Sequence, residues 1–141
     1  MNRQIVIDTN VFVSALRSRR GASYQLFMLF DRGDFEINIS VSLIVEYEDA
    51  AKRIAREVGL THGGIDDILD YICSVGRRRK IHFLWRPFLK DPEDDHVLEL
   101  AVEAGCDFVV THNGRDFSGS EQFGVRAVTP KAFLRMIGGL P

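Results

Sequence analysis

The stretch that most limits how this chain can fold is its opening run, Ile5-Val6-Ile7, which ends abruptly in Asp8-Thr9-Asn10 before Val11-Phe12-Val13 follows. A short unbroken run of β-branched apolar residues reads as a strand buried on both faces, the usual state of a strand in a parallel sheet covered by helices. Asp8 then stands at the carboxyl end of that strand, and open α/β sheets bind ligands outside those ends. Asp, Thr and Asn are also good helix caps. On this stretch alone, capping and chemistry remain open alternatives for Asp8.

The rest of the chain alternates in the same way. Helical periodicity is expected from Asn10 to about Leu16, from Ala22 to Phe30, from about Ser42 to Val58 and from Ile65 to Val75. Beyond Asp91-Pro92 it runs again to Gly105, and then from Lys131 to Ile137. Strands are expected at Phe35–Ile39, Ile81–Trp85, Asp107–Thr111 and Val125–Val128. Strands alternating with helices imply βαβ units. The fold class expected is three-layer α/β/α around a central, mainly parallel sheet, as one domain over residues 1–141.

Composition excludes some functions. The formal net charge is −2, so nothing pulls the whole molecule toward nucleic acid or anionic membrane, and any such binding must come from local patches. The basic candidates are Arg17, Arg19 and Arg20, and the run Arg77-Arg78-Arg79-Lys80. No apolar run approaches the ~20 residues that span a bilayer. Met1-Asn2-Arg3-Gln4 leads straight into the first strand, so no secretory leader is expected. Cys73 and Cys106 lie far apart and in no metal-like spacing, which suits small core residues in a reducing, cytoplasmic setting.

The densest acidity is Asp91-Pro92-Glu93-Asp94-Asp95. Asp91 before Pro92 is a strong helix start, and Asp94 is placed to close back on that cap. Asp95 is the acid least needed for capping. On the helix from Ser42, Glu46 lies at the margin of the apolar stripe of Leu43, Tyr47 and Ala50, so it is the acid there best placed to approach the interior. A later strand ends in Thr111-His112-Asn113-Gly114-Arg115-Asp116. In a parallel sheet, strand ends and the starts of the following helices share one side, so Asp8, Glu46, Asp95, Asn113 and Asp116 can converge. Two like charges ~4 Å apart repel by about 4 kcal/mol at an effective dielectric near 20. Within these motifs only Arg115 offers a counter-charge. Oxygen donors without thiolates suit Mg²⁺ or Mn²⁺, and such sites favour phosphoryl chemistry.

These motifs carry a family resemblance. The order Asp8-Thr9-Asn10-Val11, Glu46-Tyr47, Asp91-Pro92-Glu93-Asp94-Asp95 leading into Leu98-Glu99-Leu100-Ala101, then Thr111 to Phe117, resembles the PIN-domain ribonucleases. More narrowly it is similar to the VapC-type toxins of prokaryotic toxin–antitoxin pairs. The resemblance implies a metal-dependent endoribonuclease with Asp8, Glu46, Asp95 and Asp116 as metal-binding, catalytic acids. Thr9, Asn10, Thr111 and Asn113 become polar support. Asn113 matches a position where the family often has Asp. Asp91 and Asp94 stay capping residues, and the spacing from Asp95 to Leu98 and Thr111 selects Asp95. The resemblance also implies single-stranded RNA as substrate, a small antitoxin partner and a homodimer. Phe83, Trp85 and Phe88 are candidates for a partner surface, with core packing as their other role.

Two rivals remain. A phosphatase of the haloacid-dehalogenase type also begins with an Asp after a buried strand, but needs a second Asp where this chain has Asn10. A non-catalytic PIN-like module that binds RNA or protein is the other. His96 and His112 adjoin the expected site and are left out of it.

Overall fold

The structure, a computed structural model, describes residues 3–81, 89 and 91–138. The opening run forms strand β1 (Arg3–Ile7), and Thr9–Arg17 continues as helix α1. Helix α2 (Ala22–Met28), strand β2 (Phe35–Ile39), helices α3 (Val41–Arg53), α4 (Ala55–Val58) and α5 (His62–Val75), and the two-residue strand β3 (Arg77–Arg78) follow. A 3₁₀ turn, Pro92–Asp94, runs into helix α6 (Asp95–Glu103). Strand β4 (Phe108–Val110), 3₁₀ turns at Gly114–Phe117 and Ser120–Phe123, strand β5 (Arg126–Val128) and helix α7 (Pro130–Met136) complete the order.

The five strands form one sheet in the order β3-β2-β1-β4-β5, with every neighbouring pair parallel. Helices flank it on both faces, so the architecture is the expected three-layer α/β/α. Ile5, Val6 and Ile7 are all buried, as a doubly covered central strand requires. α6 packs directly on β1, β2 and β4, and α5 on β2. Right-handed crossovers place the helices between β1 and β3 on one face and α6 on the other.

Two expectations change, and a third is left untested. The helix expected over 42–58 begins at Val41 and breaks at Ile54, which leaves helical geometry (φ −102°, ψ 7°) before α4 resumes. The basic run is not only a loop: Arg77 and Arg78 pair with Asn38 and Ile39 as an edge strand. Gly76 permits this, because a Cβ there would stand 3.0 Å from the Ile72 carbonyl and 3.3 Å from Ile39. The strand expected at Ile81–Trp85 falls mostly outside the described residues, as do Phe83, Trp85 and Phe88. Cys106 is buried, which pushes its thiol up to about 12, and Cys73 is half-buried and free.

β1 and β4 are neighbours that the chain leaves in opposite directions, β1 toward β2 and β4 toward β5. Such a reversal is where a ligand crevice opens in this class of sheet. Asp8 and Thr111 are the residues immediately beyond those two strands.

Candidate functional site

Asp8 caps α1, one of the two alternatives left open by the sequence, and its carboxylate also belongs to a cross-strand network. Its Oδ1 accepts from the Thr9 N–H (2.9 Å), and its Oδ2 accepts from the Thr111 hydroxyl (2.8 Å) and the Asn10 amide (3.2 Å). Asn10 in turn accepts from the His112 N–H (3.2 Å), and the Thr111 hydroxyl accepts from the Asn113 N–H (3.0 Å). Thr9, Asn10, Thr111 and Asn113 are therefore all in the bonded surroundings of Asp8, although the Asn113 residue itself is exposed. Burial pushes the Asp8 carboxyl above the usual carboxylate range and the Glu46 charge adds to this, against the hydrogen bonds from Thr111 and Thr9.

Ser40 caps α3 by accepting from the Leu43 N–H (3.2 Å), which fixes the helix so that Glu46 and Tyr47 lie in its second turn. The buried Tyr47 hydroxyl donates to the Ile7 carbonyl, the last carbonyl of β1. Burial, with the charges of Asp8 and Glu46, pushes this phenol well above its usual range, so it remains a donor. Glu46 meets the Nε2 of His96 through Oε2 at 2.5 Å. Burial opposes the Glu46 charge, but bonding from His96 and Thr9 together with the His96 charge holds its carboxyl below the usual value. The Thr9 hydroxyl, near enough to Glu46 to favour that charge, makes no well-formed hydrogen bond and is buried.

The Asp91–Asp95 segment rearranges the expected roles. Asp91 does cap the 3₁₀ turn, accepting from the Glu93 N–H (3.0 Å). Asp94 makes no capping bond, which corrects the capping role expected for it. Its carboxyl is instead pushed up to about 7, by burial first and then by the charges of Asp8, Asp91, Asp116 and Glu46. Asp95 is buried and accepts from the Leu89 N–H at 2.8 Å, tying the preceding segment to the start of α6. Asp116 lies half-buried on the 3₁₀ turn Gly114–Phe117 and bears on Asp94. A cleft lined by Thr9, Glu46, Glu93, Asp94 and His96 joins these elements.

Asp94 feels the charges of Asp8, Glu46 and Asp116, so these four acids face one region, while Asp95, the acid expected from the sequence, is buried against the Leu89 N–H. His96 contacts Glu46 and Tyr47 holds the Ile7 carbonyl, two contacts that the sequence does not signal. The stripe position of Tyr47 signals only burial, and nothing in the spacing marks His96 as facing Glu46.

The chemistry of the donor set fits a divalent cation. It is all oxygen and includes the buried Thr9 hydroxyl, and the charges of Asp8, Asp116 and Glu46 add to burial in pushing Asp94 up, whereas His96 favours the charged form of Glu46. Among the described residues, no three His, Cys, Asp or Glu side chains stand close enough, as placed, to hold an ion. Likewise, among the described residues, no helix is long and apolar enough to cross a membrane.

A family model described as PIN domain matches residues 4–115. Among curated proteins, no sequence matches the chain closely enough to count as a relative.

Proposed function

The chain belongs to the PIN-domain family and carries its nuclease-type fold, and from this premise we propose that it is a Mg²⁺- or Mn²⁺-dependent endoribonuclease acting on single-stranded regions of RNA. The observation that carries the reading is the cleft at the carboxyl end of the sheet that gathers Glu46, Glu93 and Asp94, where the Asp94 carboxyl is pushed up to about 7 by burial first and then by the charges of Asp8, Asp91, Asp116 and Glu46. Acids crowded at such a cost to their own ionisation are poised for a cation.

Asp8, Glu46, Asp94 and Asp116 would hold the ion, with Asp95 beside them fastening the Leu89 backbone. When bound, such an ion neutralises the carboxylates and the phosphodiester and lowers the pKa of a water. Asn10 and Thr111 hold Asp8 in one orientation, and Tyr47 secures the β1 carbonyl just before it. His96 restrains Glu46. The products of water attack in line would be a 5′-phosphate and a 3′-hydroxyl, and no side-chain nucleophile is required.

The resemblance to VapC-type proteins extends the proposal to the toxin component of a toxin–antitoxin pair. It would be a cytoplasmic homodimer restrained by a small antitoxin. The second reading is a non-catalytic RNA- or protein-binding module, favoured by the uncharged Asn113 and by acids not yet gathered at chelating distances. Incubating structured RNA with the purified protein in Mn²⁺, Mg²⁺ or EDTA, beside Asp94→Asn, decides between them. Cutting that needs the metal and fails in the variant supports the nuclease. A folded wild-type protein inert under every metal supports the binding module.

A further inference from the structure

We propose that the exposed start of α3 and the β3 edge form a seat for the single-stranded RNA flanking the cleavage site, with phosphates at Arg78 and Lys80 and sugar and base faces on Val41 and Val45. The proposal rests on the nuclease reading of the adjoining cleft and names where its substrate lies.

The sheet register sets the placement. Ile5 pairs with Ile37 and Ile39 with Arg78, so continuing both ladders aligns Asp8, Ser40 and Arg79 in one row across the carboxyl ends of β1, β2 and β3. With strands ~4.8 Å apart, the end of β3 lies about 10 Å from Asp8 on the same side of the sheet. The other basic candidates lie elsewhere. α1 is capped by Asp8 and runs back for nine residues, so Arg17 at its end lies about 13 Å away, toward the opposite end of the sheet, with Arg19 and Arg20 beyond it in the chain. Arg17 is also paired with Glu57 at 2.7 Å.

Partnering separates the basic run into two pairs. Arg77 is ion-paired with Glu36, and the Arg79 Nε donates to Asn38 Oδ1 at 3.0 Å. Arg78 and Lys80 are exposed and have no ion pair or hydrogen bond with any described residue. Between them and the acids stand Val41, 80% exposed, and Val45, 56% exposed, four residues apart and so on one side of α3. Arg78, Val41 and Val45 border a hollow of about 270 Å³, and Lys80 and Ser42 border another of about 200 Å³. Ser42 and Val45 also line the acidic cleft, so the surface is continuous from acids to cations.

The pairing of cations with apolar faces selects the occupant. An acidic protein segment and RNA would both satisfy Arg78 and Lys80, and metal-free Glu46, Glu93 and Asp94 would repel both. RNA has a phosphate for each cation, apolar faces for the valines, and one phosphate to bring to the cleft if a metal ion is present there.

The test measures binding apart from cutting. In EDTA, fluorescence anisotropy is followed with a fluorescein-labelled oligouridylate of about ten nucleotides, for wild type, Arg78→Ala/Lys80→Ala, Val45→Asp, and Lys131→Ala/Arg135→Ala as a charge-matched control on α7. The edge variant is expected to bind roughly ten-fold more weakly and to lower the salt slope by about 1.4, for two lost phosphate contacts at ~0.7 each. Val45→Asp, at an exposed position, should weaken binding without touching the cations, while the control binds as wild type. Equal affinity and slope in the edge variant and the control, or a wild type that fails to bind at low salt, overturns the proposal. Loss of binding in the edge variant with no cutting by wild type in Mn²⁺ leaves the seat standing and removes the nuclease. Cutting with unchanged binding in the edge variant does the reverse.

Discussion

The Nε2 of His96 stands 2.5 Å from the Oε2 of Glu46, so this acid of α3 is held by the first turn of α6. His96 is largely buried, whereas the Glu46 side chain is 40% exposed. The pair therefore orients Glu46 more than it stabilises the fold. His96→Ala should cost about 1 kcal/mol or less in thermal or urea unfolding above pH ~5, the range for a partly exposed pair. That difference should fade below the unfolded Glu pKa and be gone once pH has fallen through the folded one, because Glu46 is held below its usual value. A larger loss that persists at acid pH would show His96 to be a packing residue and not a restraint on Glu46.

Asp94 and Asp95 should separate cleanly on substitution. Asp94→Asn removes a carboxyl already pushed to about 7, so the variant should be at least as stable as wild type near neutral pH. It should lose most of the rise in melting temperature produced by Mn²⁺. Asp95→Ala leaves the Leu89 N–H without its acceptor and should cost about 1–3 kcal/mol. Differential scanning fluorimetry with and without Mn²⁺ reads both effects. The opposite pattern, with Mn²⁺ stabilisation kept in Asp94→Asn and lost in a folded Asp95→Asn, would return the ligand role to Asp95.

That pair also shows where the sequence stops being informative. The apolar run before Asp8 marked β1 as a central parallel strand, and Asp8-Thr9-Asn10 marked the start of α1 at its end. Glu46 followed from helical periodicity. Consecutive residues on a helix point about 100° apart, so choosing between Asp94 and Asp95 requires the phase of α6. The 3₁₀ turn Pro92–Asp94 enters α6 without a break and at a different pitch, which no 3.6-residue pattern records. β3 was hidden for another reason. Two arginines have no apolar alternation, and they pair with β2 because Gly76 lets the end of α5 approach Ile37 and Ile39. His96 facing Glu46 is a contact fifty residues apart in sequence, set by how α3 and α6 meet around β1.

Metal-free stability should fall as pH rises through the neutral range. Asp94 titrates near 3.8 when unfolded and near 7 when folded, so the folded state binds more protons between those values. Its unfavourable contribution sets in from about pH 4 and is complete just above 7. Asp8 is raised as well and adds in the same direction, while the window of Glu46 lies below both. In EDTA the melting temperature should be lower at pH ~7.5 than at ~5.5, and Mn²⁺ at the higher pH should restore it. A melting temperature that climbs across this window in EDTA would mean that the acids are not crowded in solution.

Asp8→Asn tests the centre of the site with little cost to the fold. The carboxyl is buried and raised, so an uncharged amide relieves desolvation. Its oxygen still accepts from the Thr9 N–H and the Thr111 hydroxyl can turn to accept from the new amide, while the Asn10 amide loses its acceptor on Asp8 and keeps only the Thr111 hydroxyl at 3.4 Å. Unfolding in EDTA should therefore be unchanged or slightly more resistant, within about 1 kcal/mol. RNA cleavage in Mn²⁺ should fall by at least about 10²-fold, the scale for losing one charge-stabilising group. The Mn²⁺-induced rise in melting temperature should shrink in parallel, because the same carboxylate serves both. Cleavage at the wild-type rate by a folded Asp8→Asn protein would remove Asp8 from the chemistry and leave it only as the cap of α1.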